Sequence, residues 1–519
     1  MKHAKSSRVF SLLAFVLAVT MLLTLVGCGG NDADDETPKT TTTTTASTTA
    51  GDVGDTTTTT GGDVSDDTTT GTEGGESTGV ATLPSLTTPV APTKTKAPTK
   101  TQVKTTRTTV KESDHILNKV PSELKGTKIK MLIWWEKGTD DSNEAKIFAD
   151  KTGIQVTYET AAMANYQSNL SSKIMSGNPP ALAAIINEWY PQPITRGLMQ
   201  PIKNTGWDYS DTSLYAHALM DQFSYKGEHY GIALKGSNMT TFEVMFFNKK
   251  VMKAFGVEKD PYELWQEGNW NWDTCTAIAE KCTDAKKDKY GLTNISQFFW
   301  MLSAGQDFVL SDKNGLVNNI KSKDLLDTWY KAWDMIFTNK VIPNNFSNQQ
   351  QLFFNGSIAM LGAGSYFMQA EASHSNYVPQ NVTDEWDVVP YPSRADQAPV
   401  AACEGTVWGF PSKVKGNQLQ AGMWFLRYFL DDYTYSARDF YPDDELGTHC
   451  WDVMSWMWNQ KIQSYNSVGV VCYGGKHNAW SIQYSLIDEA TTRGQVQSNL
   501  ESWYTEIQTN IEAINSEMD

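Results

Sequence analysis

Residues 31–120 are rich in threonine, glycine, aspartate and proline, with threonine runs at 40–45 and 56–60. Aromatic and large aliphatic side chains are scarce there, so burial cannot offset the entropy of ordering the chain. This stretch therefore reads as a disordered stalk, and folding is confined to 121–519. That remainder is long enough for about two units of ordinary domain size. The stalk is acidic in its first half (Asp32, Asp34, Asp35, Glu36, Asp66, Asp67) and basic in its second (Lys94, Lys96, Lys100, Lys104, Arg107, Lys111). It reads as a solvated spacer, with O-glycosylation or cell-wall contact as an added role.

The stalk follows a targeting segment. Lys2, His3, Lys5 and Arg8 form a positive start, and 9–26 is a nearly unbroken apolar run. By length alone that run approaches the ~20 residues of a membrane-spanning helix, so an uncleaved anchor is one reading. Its ending, Leu25-Val26-Gly27-Cys28, resembles the bacterial lipobox. The resemblance implies that residues 1–27 are a signal peptide and that Cys28 is acylated and becomes the mature N-terminus. Two acyl chains suffice for stable anchoring, so the membrane would be a partner through lipid and not through a spanning helix. A long tether suits a thick, Gram-positive cell wall.

The net charge of −16 and pI near 5.0 disfavour nucleic acid as a partner. Of the six cysteines, Cys28 is reserved for lipid, and the odd remainder cannot form a complete disulfide framework. Cys275 and Cys282 read as two positions of one helix, roughly 10 Å apart along its axis and beyond disulfide reach. These look like structural thiols, which suits a weakly oxidising habitat. The 18 tryptophans prompt a search for an aromatic-lined ligand site.

The folded part opens with alternating elements. The run 128–134 (KIKMLIW) reads as a buried strand, 142–151 as a helix stopped by Gly153, and 154–158 (IQVTY) as a second strand. Residues 170–175 are helical, and 181–186 form a third apolar strand. This order predicts an α/β fold with a parallel sheet and right-handed crossovers. Ligands of such sheets bind beyond the carboxyl ends of the strands. That rule marks Trp135, Glu136 and Lys137 after the first strand, and Asn187, Glu188, Trp189 and Tyr190 after the third.

Several pieces, in order, resemble the extracellular solute-binding proteins of sugar ABC importers. KIKMLIWWEKG with FADKTGIQVTYE is similar to the family's opening strand, helix and strand. MSGNPPALAAI resembles its "SG-PPD" segment, with Ala181 in place of the usual Asp. GLMQPI, YKGEHYGIAL, VMFFNKKVMKAFGV and GNWNWDTCTAIAEKC follow in the family's order. FFNGSIAMLGAGSY places Tyr366 where the family usually has Trp, and GTVWGFPSKVKGNQLQAGMWFLRYFL resembles the segment returning to the first lobe. The resemblance implies a two-lobed periplasmic-binding-protein-like fold with a hinge and lobes interleaved in sequence. Lobe one would be about 124–234 and 404–428, lobe two about 240–390 and 429–519. It also implies capture of a carbohydrate, delivery to ABC permease subunits, a monomeric chain and no cofactor.

Sugars offer apolar C–H faces and a ring of hydroxyls, so flat aromatics beside carboxylates and amides suit them. The loop residues named above qualify. By the resemblance, Tyr366 is the stacking ring of the second lobe, and Glu404 with Gly405 follows the returning strand. Trp300 and Trp480 are further aromatic candidates. Trp270 and Trp272, before a helix expected to be capped by Asp273, read chiefly as packing.

Other motifs lead elsewhere. Asp312-Lys313-Asn314-Gly315 begins like a calcium loop, but Lys323 stands where the twelfth-position Glu is needed, so an Asn-Gly hairpin is expected. Cys472, His477, His449 and Cys450 match no standard zinc spacing, and no metal is expected. Two alternatives to transport stay open. One is a lipid-anchored glycoside hydrolase using two of Glu136, Glu188 and Glu404. The other is a sensor or adhesion lipoprotein without a transporter.

Overall fold

The carboxyl half of the first strand, Met131, Leu132 and Ile133, is wholly buried, as a strand inside a covered parallel sheet must be. The computed structural model describes residues 116–135, 139–237, 239–293, 298–343, 349–368, 385–436, 445–478 and 480–518. The signal segment with Cys28, the stalk up to residue 115, Glu136, Lys137 and Asn238 lie outside the described residues; the expected end of the stalk at 120 is corrected, since Ile116–Lys119 forms a 3-10 turn with Leu117 buried in the folded part.

The strands in chain order are β1 (Lys128–Ile133), β2 (Gln155–Thr160), β3 (Ala183–Ile186), β4 (Thr241–Asn248), β5 (Tyr290–Leu292), β6 (Val309–Asp312), β7 (Gly315–Asn318), β8 (Ile358–Gly364), β9 (Trp386–Pro390), β10 (Val400–Glu404), β11 (Thr406–Gly409) and β12 (Lys461–Ser464). β1 pairs with β2 in parallel and touches β3 through the parallel Met131–Leu182 bridge. The helix Thr139–Thr152 joins β1 to β2, and the helix Tyr166–Met175 joins β2 to β3. The first ends where expected: Gly153 has φ 74°, and the Thr152 hydroxyl donates to the Phe148 carbonyl at 2.7 Å. The second buries Tyr166, Leu170 and Ile174 at helical spacing.

β11 adds to this sheet from far along the chain, antiparallel to β3, with Thr406 opposite Ile186 and Gly409 opposite Ala183. The long helix Gly416–Ser436 then covers the sheet, with Phe425 5.1 Å from Phe148 and 6.1 Å from Tyr158 between ring centroids. Burying each such side chain contributes about 1.5–3 kcal/mol.

The second sheet runs β12-β10-β4-β8-β5, with β9 also paired to β4. All eight residues of β4 are buried, which fits its central place. The two sheets, with their helices, make a two-lobed fold of mixed α/β class. The peptide between them is short: β10 ends at Glu404 in the second sheet, and β11 begins at Thr406 in the first. Gly405 stands between, where a Cβ would come within 2.7 Å of Leu219 and 2.8 Å of Phe223. The carboxyl-terminal segments straddle both parts. Gln192 donates to the Gly469 carbonyl at 2.6 Å, and Glu517 accepts from Thr195 at 2.9 Å and Arg196 at 3.1 Å. The helix Tyr504–Ser516 also packs on β7.

Two local expectations need correction. The β6–β7 hairpin turns on Lys313 and Asn314, with Asp312 opposite Gly315, so Gly315 opens β7 instead of occupying the turn. The Asp312 carboxylate accepts from the Asn314 amide at 2.6 Å and holds the turn closed. The helix Trp272–Lys281 is capped by Asn271, not Asp273. Asn271 accepts from the Asp273 and Thr274 amides and forms a capping box with Thr274. Among the described residues no helix is long and apolar enough to cross a membrane.

Candidate functional site

β1 and β3 end side by side, and aromatic rings gather beyond them. The Tyr166 hydroxyl donates to the Leu132 carbonyl at 2.9 Å and accepts from the Ala184 amide at 2.9 Å. It thereby ties the two strands just below their ends. Its ring stacks on Trp189 at 4.1 Å and 13°. Trp134 meets Trp189 edge-on at 5.8 Å and Trp135 edge-on at 4.9 Å, and lies nearly parallel to Trp408 at 5.8 Å. These offset and edge-to-face arrangements are the favoured ones for aromatic pairs.

Of the five rings, Trp135, Tyr166, Trp189 and Trp408 are buried, and Trp134 is half-buried. Trp134 is therefore the face a solute can meet, backed by the other four. Sequence reasoning named Trp135 and Trp189 and passed over Trp134, Tyr166 and Trp408. The signal for Trp134 was its place as the first residue past β1. Trp408 could be found only by knowing that β11 lies on β3.

The antiparallel register of β3 and β11 sets the carboxylates. Ile186 opposes Thr406, and two residues further on each side stand Glu188 and Glu404. Both are half-buried. Burial, and then the charge of Glu404, pushes the Glu188 carboxyl up to about 7. Burial alone pushes Glu404 up to about 6.

Glu404 also faces the second sheet, because its register partner on β4 is Thr241. Two residues along β4 on the same face is Glu243, opposite Gly364 of β8. Glu243 is 2% exposed, and its Oε2 has no hydrogen-bond partner among the described residues. Burial and the charge of Glu404 hold its carboxyl well above the usual range. The sequence hides this residue, since one Glu in TFEVMFFN reads as the solvent-facing position of an alternating strand.

Tyr366 belongs to the same place. It lies in the turn Ser365–Met368 that follows β8, half-buried. A Cβ on Gly364 would stand 2.5 Å from the Tyr366 ring and 2.6 Å from Thr241. Gly364 thus lets the ring settle on the strand beside Thr241, the residue opposite Glu404. Gly362 does the same for Tyr391, whose ring would be 2.9 Å from a Cβ there.

The remaining candidates fall elsewhere. Asn187 is buried beside Glu188. The buried Tyr190 hydroxyl donates to the Ser224 carbonyl at 2.5 Å and lies 3.1 Å from the Ser311 hydroxyl, bridging the first sheet's loops to the β6–β7 hairpin. Trp300 is 2% exposed, packed between Trp272 at 5.7 Å and Tyr391 at 5.3 Å. Its helix, Phe298–Ser303, is buried on every side, so Trp300 lies in the core of the second lobe. Trp480 is half-buried against Phe298 at 5.1 Å, in a cluster with Tyr465, Phe308 and Trp329. Trp270 and Trp272 donate to the Pro390 and Pro392 carbonyls at 2.8 and 2.9 Å, as packing residues. Among the described residues no group of three or more His, Cys, Asp or Glu is placed to hold a metal ion. His449 is instead bound to Asp387 at 2.7 Å and His477 to Glu506 at 2.9 Å.

Comparison with known proteins agrees with this architecture. The family profile of bacterial extracellular solute-binding proteins matches residues 144–439. No curated protein matches the sequence. Among solved structures, a cyclo/maltodextrin-binding protein complexed with maltotetraose is similar at TM-score 0.56 and 16% identity, over 74% of this chain and 97% of that one. An extracellular solute-binding protein from Staphylococcus aureus in complex with maltose gives TM-score 0.56 at 12% identity, over 75% and 99%. The sugar-binding protein MalE from Xanthomonas citri gives TM-score 0.56 at 13% identity, also over 75% and 99%. At these identities the likeness speaks to the fold, while the sequence profile covers more than half of the chain: this protein belongs to the bacterial extracellular solute-binding family.

Proposed function

We propose that this chain is the substrate-binding component of an ABC importer and that its solute is a carbohydrate, captured between the lobes and delivered to permease subunits. One observation carries the reading. The half-buried Trp134 ring, backed by four more aromatics that include Trp189, belongs to the same end of the first lobe as Glu188, whose carboxyl feels the charge of Glu404. A flat apolar surface beside hydrogen-bonding carboxylates matches the two kinds of surface on a sugar. The similar solved proteins with bound maltose and maltotetraose support the same choice.

The finer parts of the reading rest on sequence. Cys28 carries the lipid that holds the protein on the outer face of a Gram-positive membrane, the chain from 28 to the turn at Ile116–Lys119 is the tether, and the chain acts as a monomer. Trp135, Glu136, Lys137, Asn187, Glu188, Trp189 and Tyr190 serve the site from the first lobe, and to these the half-buried Trp134 is added on its exposure. Tyr366 serves it from the second, and Glu404 from the connection. Closure of the lobes turns about 231–238 and about 390–405. A ligand drives such closure by contacting the closed state better than the open one.

The test is a glycan panel read by tryptophan fluorescence and calorimetry. Saturable binding of a sugar, quenched or shifted at Trp134, is the expected result; no response to any sugar would sink the reading. The displaced carboxyls of Glu188 and Glu404 favour acid–base chemistry as a second reading. Prolonged incubation with oligosaccharides should return them uncleaved; cleavage lost in Glu188→Gln would establish the hydrolase instead.

A further inference from the structure

Glu188, Glu404 and Glu243 form a chain of carboxylates leading from the first sheet to the second. Glu188 and Glu404 each lie two residues beyond the last β3–β11 pair, Ile186–Thr406, and Glu404 and Glu243 share one face of the β10–β4 pair. No Lys, Arg or His among the described residues forms an ion pair with any of them, whereas Glu159, with two lysines at 2.8 and 2.9 Å, shows how this fold balances a half-buried carboxylate elsewhere. Glu243 is 2% exposed with one oxygen unpartnered. A buried carboxylate without a partner is costly, and a like charge beside it adds to the cost.

We propose that the solute carries a positively charged amino group and that Glu188, Glu404 and Glu243 receive it. The proposal rests on the carbohydrate reading, within which the ligand is an amino sugar or an oligosaccharide containing one. A hydroxyl can hydrogen-bond to these carboxyls whether or not they carry a proton, whereas a cation draws them into the ionised form that burial disfavours. An ammonium group supplies three donors and the missing charge together. The neighbouring Trp134 and Tyr366 faces suit it as well, since aromatic faces attract cations.

Matched pairs differing only in hydroxyl against amine test this: glucose and glucosamine, galactose and galactosamine, cellotriose and the β-1,4-linked glucosamine trimer. Titration calorimetry of the full-length protein near neutral pH, with spermidine as a non-sugar amine, reads each affinity. The amine member of a pair should bind about tenfold tighter or more, and the margin should shrink as salt is raised. In Glu404→Gln and Glu188→Gln, checked as folded by thermal melting, the ratio within a pair should fall toward one. Equal or tighter binding of the neutral sugars would overturn the cation inference and leave the carbohydrate reading standing, with Lys137 the residue to examine for the balancing charge. Binding of spermidine without any sugar would sink the carbohydrate reading and keep the cationic site. Binding of none of these probes would overturn the cation inference, and the glycan panel then decides the carbohydrate reading by itself.

Discussion

Tyr166 holds Trp189 flat against its ring at 4.1 Å while its hydroxyl bridges the backbones of β1 and β3. One side chain thus fixes both the spacing of the two strand ends and the tilt of an aromatic in the candidate site. In Tyr166→Phe the stack survives, but the Ala184 amide and the Leu132 carbonyl each lose a partner in a buried place. The loss should be about 1–3 kcal/mol, seen as a lower thermal or denaturant midpoint with near-native tryptophan fluorescence. An unchanged midpoint would mean the hydroxyl bridge contributes nothing.

Gly364→Ala should be more damaging to binding than to folding. The added Cβ meets the Tyr366 ring at 2.5 Å and Thr241 at 2.6 Å, and overpacking of this kind costs about 1–3 kcal/mol. Tyr366 is half-buried, so displacement of that ring from its place beside Thr241 is the expected response to the added methyl. Solute affinity and melting temperature measured on the same sample separate the two effects. Intact affinity would place Tyr366 outside the binding surface.

The raised carboxyls set a pH dependence whose sign is fixed. Glu188 titrates at about 7 and Glu404 at about 6 in the folded chain, whereas an unfolded Glu titrates at about 4.3. Between these limits the folded chain holds protons that the unfolded chain has released. Their contribution to stability is therefore full below about pH 4 and is lost as pH rises toward about 7. Glu188→Gln should melt higher than the parent near pH 8 and match it near pH 4. Calorimetry across that range decides, and parallel profiles for the two proteins would contradict the assignment.

Lobe closure requires one solute to touch both lobes. Tyr366→Ala removes a stacking contact of roughly 0.5–1.5 kcal/mol beyond the lost area and should also reduce ligand-induced compaction. Small-angle scattering with and without a bound sugar reads the compaction. A parent protein that binds tightly with no fall in radius of gyration would exclude the hinge.

Cys28→Ser should leave the precursor unprocessed or release the protein from the membrane. Fractionation with a mass measurement of the N-terminus settles it, and unchanged processing with full membrane retention would defeat the lipid anchor.

Much of this architecture is readable in the sequence because it depends on local pattern. The strands and helices from Lys128 to Ile186 follow from apolar periodicity and a stop at Gly153, and the rule that ligands sit past strand ends points to Trp135 and Glu188. What is not readable depends on pairing across the chain. Trp408 enters the aromatic cluster only because β11 aligns with β3, and Glu243 becomes a site residue only because β10 places Glu404 beside it. Trp300 looked available because aromatics suit sugars. Yet FFWMLS has no strongly polar face, which marks a helix enclosed on all sides. Asn271 and Asp273 are both competent caps, and the choice between them rests on which carboxamide or carboxylate reaches two amides.

Glu404 and Trp408 are four residues apart on one extended stretch, interrupted only by Gly405, where Leu219 and Phe223 leave no room for a Cβ. The acid that borders the second sheet and the indole that backs the first are thus beads on a single taut wire. With one residue between β10 and β11, any turning of one sheet against the other has to be taken up at Gly405 and its two flanking peptides. Lengthening that connection by even one residue would break the coupling by geometry alone, with every contacting side chain still in place.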